Sequence, residues 1–156
     1  MTEIKNIPPF FYIVNVEAAI FHEDRWLMIK RSEQEDYAGG TISFVGGKVA
    51  DMEYSEDVLE KTLKREVFEE VGVEIEDKMV YINSTLFIAD NQPVVDIIFL
   101  CKYKSGKAHC KSPSEVAVVY WMTTEEVVNH PNTPPWLVKN IEIADKVRNK
   151  FWQNKN

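Results

Sequence analysis

Apolar and polar positions fall into short runs of two periods along the chain. Residues 10–20 are rich in β-branched and aromatic side chains and predict a strand. The polar run His22-Glu23-Asp24-Arg25 follows as a turn, and residues 26–30 predict a second strand, completing a hairpin. Residues 32–40 are polar and end in Gly39-Gly40, which marks a loop. Residues 41–45 predict a short strand that runs into Gly46-Gly47. The clearest helix spans residues 55–71, with Ser55 as N-cap, Glu56 and Asp57 in the first turn, and Gly72 as terminator. Residues 79–89 and 94–103 predict two strands around the turn Asp90-Asn91-Gln92-Pro93. Ser105-Gly106 marks another turn, and residues 116–122 another strand. Thr123 or Thr124 caps a short helix through Val128, and residues 134–150 form a closing amphipathic helix with Pro135 in its first turn. Strands and helices interleave without a regular βαβ rhythm. The expected class is α/β, a mixed sheet with helices on its faces.

The 55–71 helix carries the chemistry. On a wheel advancing roughly 100° per residue from Val58, Thr62, Leu59 and Leu63 fall at roughly 40°, 100° and 140°. Glu69, Glu66 and Glu70 fall at roughly 20°, 80° and 120°, on the same side. Lys61, Lys64, Glu60 and Phe68 take the other side. Three acids therefore continue a face that begins as core. Like charges at this spacing repel by a few tenths of a kcal/mol per pair even when exposed, and more when desolvated. A solvated acidic helix end is one reading. The other is a hard divalent cation, Mg²⁺ or Mn²⁺, which prefers carboxylate oxygens.

Composition narrows the classes. The chain has 156 residues, enough for one domain with a sizeable core. A formal net charge of −7 gives no general attraction to nucleic acid or to an anionic membrane. An anionic substrate would need a local cation to offset that repulsion. Cys101 and Cys110 form no CxxC pair and have no histidine at zinc-ligand spacing, so both are expected as reduced, partly buried thiols. No 18-residue apolar run predicts a membrane span, and Met1-Thr2-Glu3-Ile4-Lys5 lacks the shape of a secretory signal, so cytoplasm is the expected compartment.

The stretch Arg65-Glu66-Val67-Phe68-Glu69-Glu70-Val71-Gly72-Val73, preceded by Gly46-Gly47-Lys48-Val49, resembles the signature box of the Nudix hydrolases. Every defined position of the second half of that box matches, and Leu27-Met28-Ile29-Lys30-Arg31-Ser32 resembles the strand that leads up to it. The spacing departs in one place. Five residues lead from Gly47 to Glu53, as the box requires, but the segment before Arg65 is longer by four residues. Glu53 or Asp57 therefore fills the first acid, and Asp57 is favoured because it keeps the family register to Arg65. The extra residues enlarge the loop at 50–54.

The resemblance implies a Nudix-like α/β/α sandwich over a single domain, residues 1–156. It implies that Glu66, Glu69 and Glu70 ligate Mg²⁺ or Mn²⁺, with a backbone carbonyl near Gly46 and Gly47 as a further ligand. Asp57 and Arg65 take orienting roles, the arginine steadying a catalytic glutamate. The reaction it implies is attack of water on phosphorus in a diphosphate linkage. A further acid outside the box, as base or extra ligand, falls to Glu115, which otherwise reads as a solvent-facing strand-entry residue. Arg31, Lys30 and Lys48 are candidates for substrate phosphate, and equally read as solvated strand-end cations.

Tyr37, Phe44, Phe87, Trp121 and Trp136 are candidates to stack on a base, with core the safer reading for Trp121. His22, His109 and His130 lie in loops, do not cluster, and receive no role. The closing helix serves packing or a homodimer contact. The expected substrate is a nucleoside diphosphate derivative such as ADP-ribose or a nucleotide sugar. The alternatives are a nucleoside triphosphate, oxidised ones included, a non-enzymatic nucleotide sensor, or a structural domain without a metal.

Overall fold

The computed structural model describes residues 11–152. The expectations for Met1 to Lys5 and for Phe10 lie outside those residues. Strands β1 (Ile13–His22) and β2 (Arg25–Arg31) form the predicted hairpin. Next come β3 (Ile42–Ser43), β4 (Val45–Lys48) and helix α1 (Val58–Val71). The long pair β5 (Glu74–Ala89) and β6 (Gln92–Ser105) is followed by β7 (Val116–Met122). Helices α2 (Thr124–Asn129) and α3 (Pro135–Trp152) close the chain.

These strands make one seven-stranded mixed sheet with the path β3-β2-β1-β6-β5, β4 also on β1 and β7 also on β2. Only β1 and β6 run parallel, in unbroken register from Ile13↔Val94 to Phe21↔Lys102. β1 and β2 pair over the rows nearest their turn, Ile20↔Leu27 to His22↔Arg25. Farther along, β1 pairs instead with β4, from Ala18↔Val45 to Asn15↔Lys48. The hairpin thus opens, and the strand bearing Gly46 and Gly47 lies against β1.

Each face of the sheet has its own core. On one, Val16, Ala18, Ile20, Leu27, Ile29 and Val45 pack with Leu63, Val67 and Val71 of α1. On the other, Ala19, Phe21, Trp26, Met28, Ile98 and Leu100 pack with Val127 of α2 and Leu137, Ile141 and Ala144 of α3. Strand side chains alternate between faces, so one strand serves both layers. A fully buried Leu63 or Ile141 contributes about 2 kcal/mol through burial.

Several boundaries differ from expectation: His22 and Arg25, read as turn, end β1 and begin β2, and Gln92 and Pro93, read as turn, begin β6, because each is paired across its hairpin. The single strand at 41–45 divides into β3 and β4 at Phe44, and the two glycines are paired strand residues. β5 begins at Glu74, because its early residues pair with the end of β6, Glu74↔Ser105 and Ile75↔Tyr103, across an irregular register. α1 starts at Val58, with Asp57 as an N-cap in the left-handed region (φ 52°) and no side-chain cap bond. Ser55 caps nothing: its hydroxyl reaches only the Glu56 carbonyl. The short helix α2 has the expected start, where Thr123 and Glu126 form a reciprocal capping box. Among the described residues no helix is long and apolar enough to cross a membrane.

Candidate active site

Two features bring α1 to β4. Gly46 sits where β4 crosses closest to β1: a Cβ there would lie 2.0 Å from the Val16 carbonyl oxygen. Gly47, one residue on, faces the helix, and a Cβ there would lie 2.3 Å from Cδ of Glu66. The Glu66 carboxyl therefore lies directly against the Gly47 backbone. Arg65 Nη1 donates to Glu66 Oε1 at 2.9 Å and to Glu69 Oε2 at 3.2 Å, steadying both.

The three glutamates are not equivalent. Glu70 is buried, at 8% exposure, Glu66 is half-buried, and Glu69 is exposed. The inward face is centred farther round the helix than Thr62, Leu59 and Leu63 suggest, because Val67 and Val71 are also fully buried. Those two fall at roughly 180° and 220°, so Glu70 points inward, Glu66 flanks the core, and Glu69 stands at the rim.

Burial pushes the Glu70 carboxyl up to about 8, helped by the charges of Glu115 and Glu66 and opposed by Arg31. Burial also raises Glu66, against the pull of Arg65. Glu115 is exposed, yet its charge acts on both, so the fold brings it to the same cluster. It is the last residue of the turn before β7, and its carbonyl accepts from Ser32 N–H at 2.9 Å.

Arg31 reaches the cluster electrostatically, lowering Glu70 while its Nε donates to the Tyr37 carbonyl at 3.2 Å and its guanidinium faces Glu35 at 3.7 Å. Lys48 is exposed at the end of β4, opposite Asn15, and no ion pair joins it to the acids among the described residues. Gly72 closes α1 at φ 74°, its N–H bonded to the Phe68 carbonyl. Asp57 and Glu53 are both exposed. Glu53, with the rest of residues 50–55, faces Lys61, Thr62 and Arg65 across a cavity of about 660 Å³, whereas Asp57 is the residue before the helix.

The polar pair Glu17 and Asp96 has no place in the sequence reading, and His109 receives no role there. Asp96, at 3% exposure, accepts from Asn15 Nδ2 at 2.8 Å and is hydrogen-bonded to the Glu17 carboxyl. Burial and the bond to Asp96 hold Glu17 well above the usual carboxylate range. The available signal was three polar residues inside strands otherwise apolar. The His109 ring occupies the space beside Gly72.

Of the aromatic candidates, Tyr37 and Phe87 stack on each other, with ring centroids 5.0 Å apart and planes at 13°. Phe44 is core, Trp121 packs edge-on to Tyr103, and Trp136 is exposed on α3. Cys101 is buried and Cys110 partly so, both as free thiols.

Among the described residues no three acidic, histidine or cysteine side chains already converge in metal-holding geometry. Arg65 holds Glu66 and Glu69 on one side while Glu70 points inward. The chemistry of the donors nonetheless fits a hard divalent cation: all are oxygens, and the buried carboxyl of Glu70 has like-charged neighbours on two sides.

The family model for the NUDIX domain matches residues 12–142. Among solved structures the chain is similar to the MutT NUDIX hydrolase from Burkholderia pseudomallei, at 24% identity over 88% of this chain and 98% of that one, TM-score 0.68. It is similar to the MutT protein from Methanosarcina mazei Go1, at 23% identity over 91% and 99%, TM-score 0.72. It is also similar to an ADP-ribose pyrophosphatase from Streptococcus suis 89-1591, at 21% identity over 92% and 97%, TM-score 0.61. No curated protein matches the chain. A glycine-entered helix with Arg65 across two glutamates and a third buried beside them, in a match spanning most of the chain, makes this protein a member of the Nudix hydrolase family.

Proposed function

We propose that this Nudix pyrophosphohydrolase cleaves the diphosphate linkage of a nucleoside diphosphate derivative such as ADP-ribose or a nucleotide sugar, with Mg²⁺ or Mn²⁺. The observation that carries the reading is Glu70, a buried carboxyl pushed up to about 8 by burial and by the charges of Glu115 and Glu66. A site that concentrates negative charge out of water is matched to a cation and, through it, to a phosphate. Glu66, Glu69 and Glu70, with the Gly47 backbone carbonyl, would hold the ion. Bound there, a divalent cation supplies Lewis acidity toward phosphoryl oxygens and a more acidic water.

The chain's own groups do the rest. Arg65 orients Glu66 and Glu69 through its two hydrogen bonds. Arg31 and Lys48 are assigned to the substrate phosphates, Arg31 needing to exchange its contact with Glu35. Glu115 takes the proton of the attacking water at Oε1, since its Oε2 is already engaged by Ser112. The P–O bond to the leaving phosphate breaks as the new one forms. The whole chain, residues 1–156, acts as one domain. An ADP-ribose pyrophosphatase and a UDP-X diphosphatase stand among the similar structures and support the diphosphate reading. MutT proteins stand there too and favour, as second reading, a nucleoside triphosphate.

A panel of ADP-ribose, nucleotide sugars and nucleoside triphosphates with Mg²⁺ or Mn²⁺, scored for products, tests this. AMP and ribose phosphate are expected from ADP-ribose. Pyrophosphate from a triphosphate alone would select the second reading. A Glu69→Gln variant as active as the parent would remove that residue from the ion's ligands.

A further inference from the structure

The segment that leads to Glu115 is tied to the catalytic helix by backbone bonds. The N–H of His109 donates to the Val71 carbonyl and that of Lys111 to the Glu70 carbonyl, both at 3.0 Å. These are terminal carbonyls of α1, which have no partner within the helix. The residue carrying the buried carboxyl is thus bonded, through its own backbone, to Lys111, in the loop four residues before Glu115.

A compact turn then sets Glu115 itself. Its N–H donates to the Ser112 carbonyl at 3.0 Å, as does that of Val116 at 2.9 Å. The Ser112 hydroxyl donates to Glu115 Oε2 at 3.0 Å. The Glu115 carbonyl is fixed in turn by Ser32 N–H. An exposed glutamate otherwise samples many rotamers, most of them directed into solvent. Here one oxygen of the carboxylate, Oε2, is held by the Ser112 hydroxyl. A hydroxyl donating to a charged oxygen is stronger than a neutral pair, and Pro113 stiffens the turn between the two residues. The charge of Glu115 is the largest one acting on Glu70, consistent with a carboxylate aimed at the helix.

We propose that Ser112 is a positioning residue, which through its hydroxyl holds the Glu115 carboxylate toward Glu66 and Glu70. The inference rests on the proposed role of Glu115. Ser112 touches neither substrate nor ion and acts only through that side chain.

The test compares Ser112→Ala, Ser112→Thr and Glu115→Gln in the full chain. Mn²⁺ binding is measured by water-proton relaxation, turnover with ADP-ribose and Mg²⁺ gives kcat and KM, and thermal melting follows the fold. Ser112→Ala is expected to shift the same quantity as Glu115→Gln, Mn²⁺ affinity or kcat, by about tenfold, the scale of losing a group that orients a ligand. Ser112→Thr, which keeps the hydroxyl, restores the parental value, and the melting temperatures stay together. Ser112→Ala matching the parent while Glu115→Gln is impaired overturns the inference and leaves the role of Glu115 standing. Ser112→Thr as poor as Ser112→Ala also overturns it, assigning the effect to the turn backbone. A silent Glu115→Gln overturns both at once. Absence of ADP-ribose turnover in the parent counts against the proposed substrate, and the Mn²⁺ measurement then decides the matter of Ser112 alone.

Discussion

The carboxyl of Glu66 lies against the backbone of Gly47, so close that a methyl group on the glycine would come within 2.3 Å of the Glu66 Cδ. Helix α1 and strand β4 are far apart in local structure but meet at this pair. Gly46 makes a different contact: its hypothetical Cβ meets the Val16 carbonyl oxygen at 2.0 Å, which is backbone and cannot swing aside. Neighbouring glycines thus have separable duties.

Gly47→Ala is expected to displace the Glu66 side chain and lower kcat/KM by about 100-fold while costing about 1 kcal/mol in urea unfolding. Gly46→Ala must part β4 from β1 and is expected to cost about 3 kcal/mol, the upper range for overpacking. Equal stability of the two variants would refute the division.

Glu70 gives a pH dependence with a definite sign. Its carboxyl titrates at about 8 in the folded protein against an ordinary value of 4.5. Between those values the folded state holds a proton that the unfolded state has released. Stability of the metal-free protein therefore falls as pH rises through that window and levels off above it. Glu70→Gln removes the dependence, and near pH 8 it is expected to raise the melting temperature by a few degrees, on the scale of about 1–2 kcal/mol. Melting curves from pH 5 to 9, with and without Mn²⁺, check this. A parent whose melting temperature rises from pH 5 to 8 would contradict it. Mn²⁺ affinity is expected to grow with pH over the same interval, since binding must expel the proton.

Arg65 bridges Glu66 and Glu69 with side chains that remain partly in water. Such pairs add less than about 1 kcal/mol to stability. Arg65→Ala is expected to melt near the parent but to lose about 10- to 100-fold in kcat, because two carboxylates lose their common anchor. A large loss of stability with activity preserved would make Arg65 a structural residue.

Gly72 is constrained twice, by φ 74° and by the His109 ring, whose Cε1 would stand 2.4 Å from an added Cβ. Gly72→Ala is expected to cost about 2 kcal/mol, combining the left-handed penalty with displacement of the ring. His109→Ala in the same chain relieves only the second part. Urea unfolding of the two single variants and the double variant measures the coupling, and strict additivity would show that ring and glycine do not interact.

Local pattern was enough for much of this protein. Strand β7, a threonine cap at 123 or 124 on the short helix, and the end of α1 at Gly72 depend on residues close in sequence and are legible there. Arg65 to Val73 likewise placed the acids on one helix and suggested the family, because a motif within one helix needs only helical spacing to be read. The helix start was less legible, since Ser55 has the chemistry of a cap while the chain begins α1 three residues later, after a left-handed Asp57.

Tertiary structure decided what the carboxylates experience. Periodicity placed three glutamates on one side, but the packing of Val67 and Val71 under the sheet buried Glu70 and left Glu69 at the rim. The charge of Glu115 on Glu70, the hydrogen-bonded pair of Glu17 and Asp96, and the approach of Glu66 to Gly47 all join residues from separate elements. Such relations depend on strand order and on the opening of the β1–β2 hairpin, which no local spacing encodes. Sequence alone determined which residues carry oxygen and charge; the fold decided which of those charges were removed from water and set against one another.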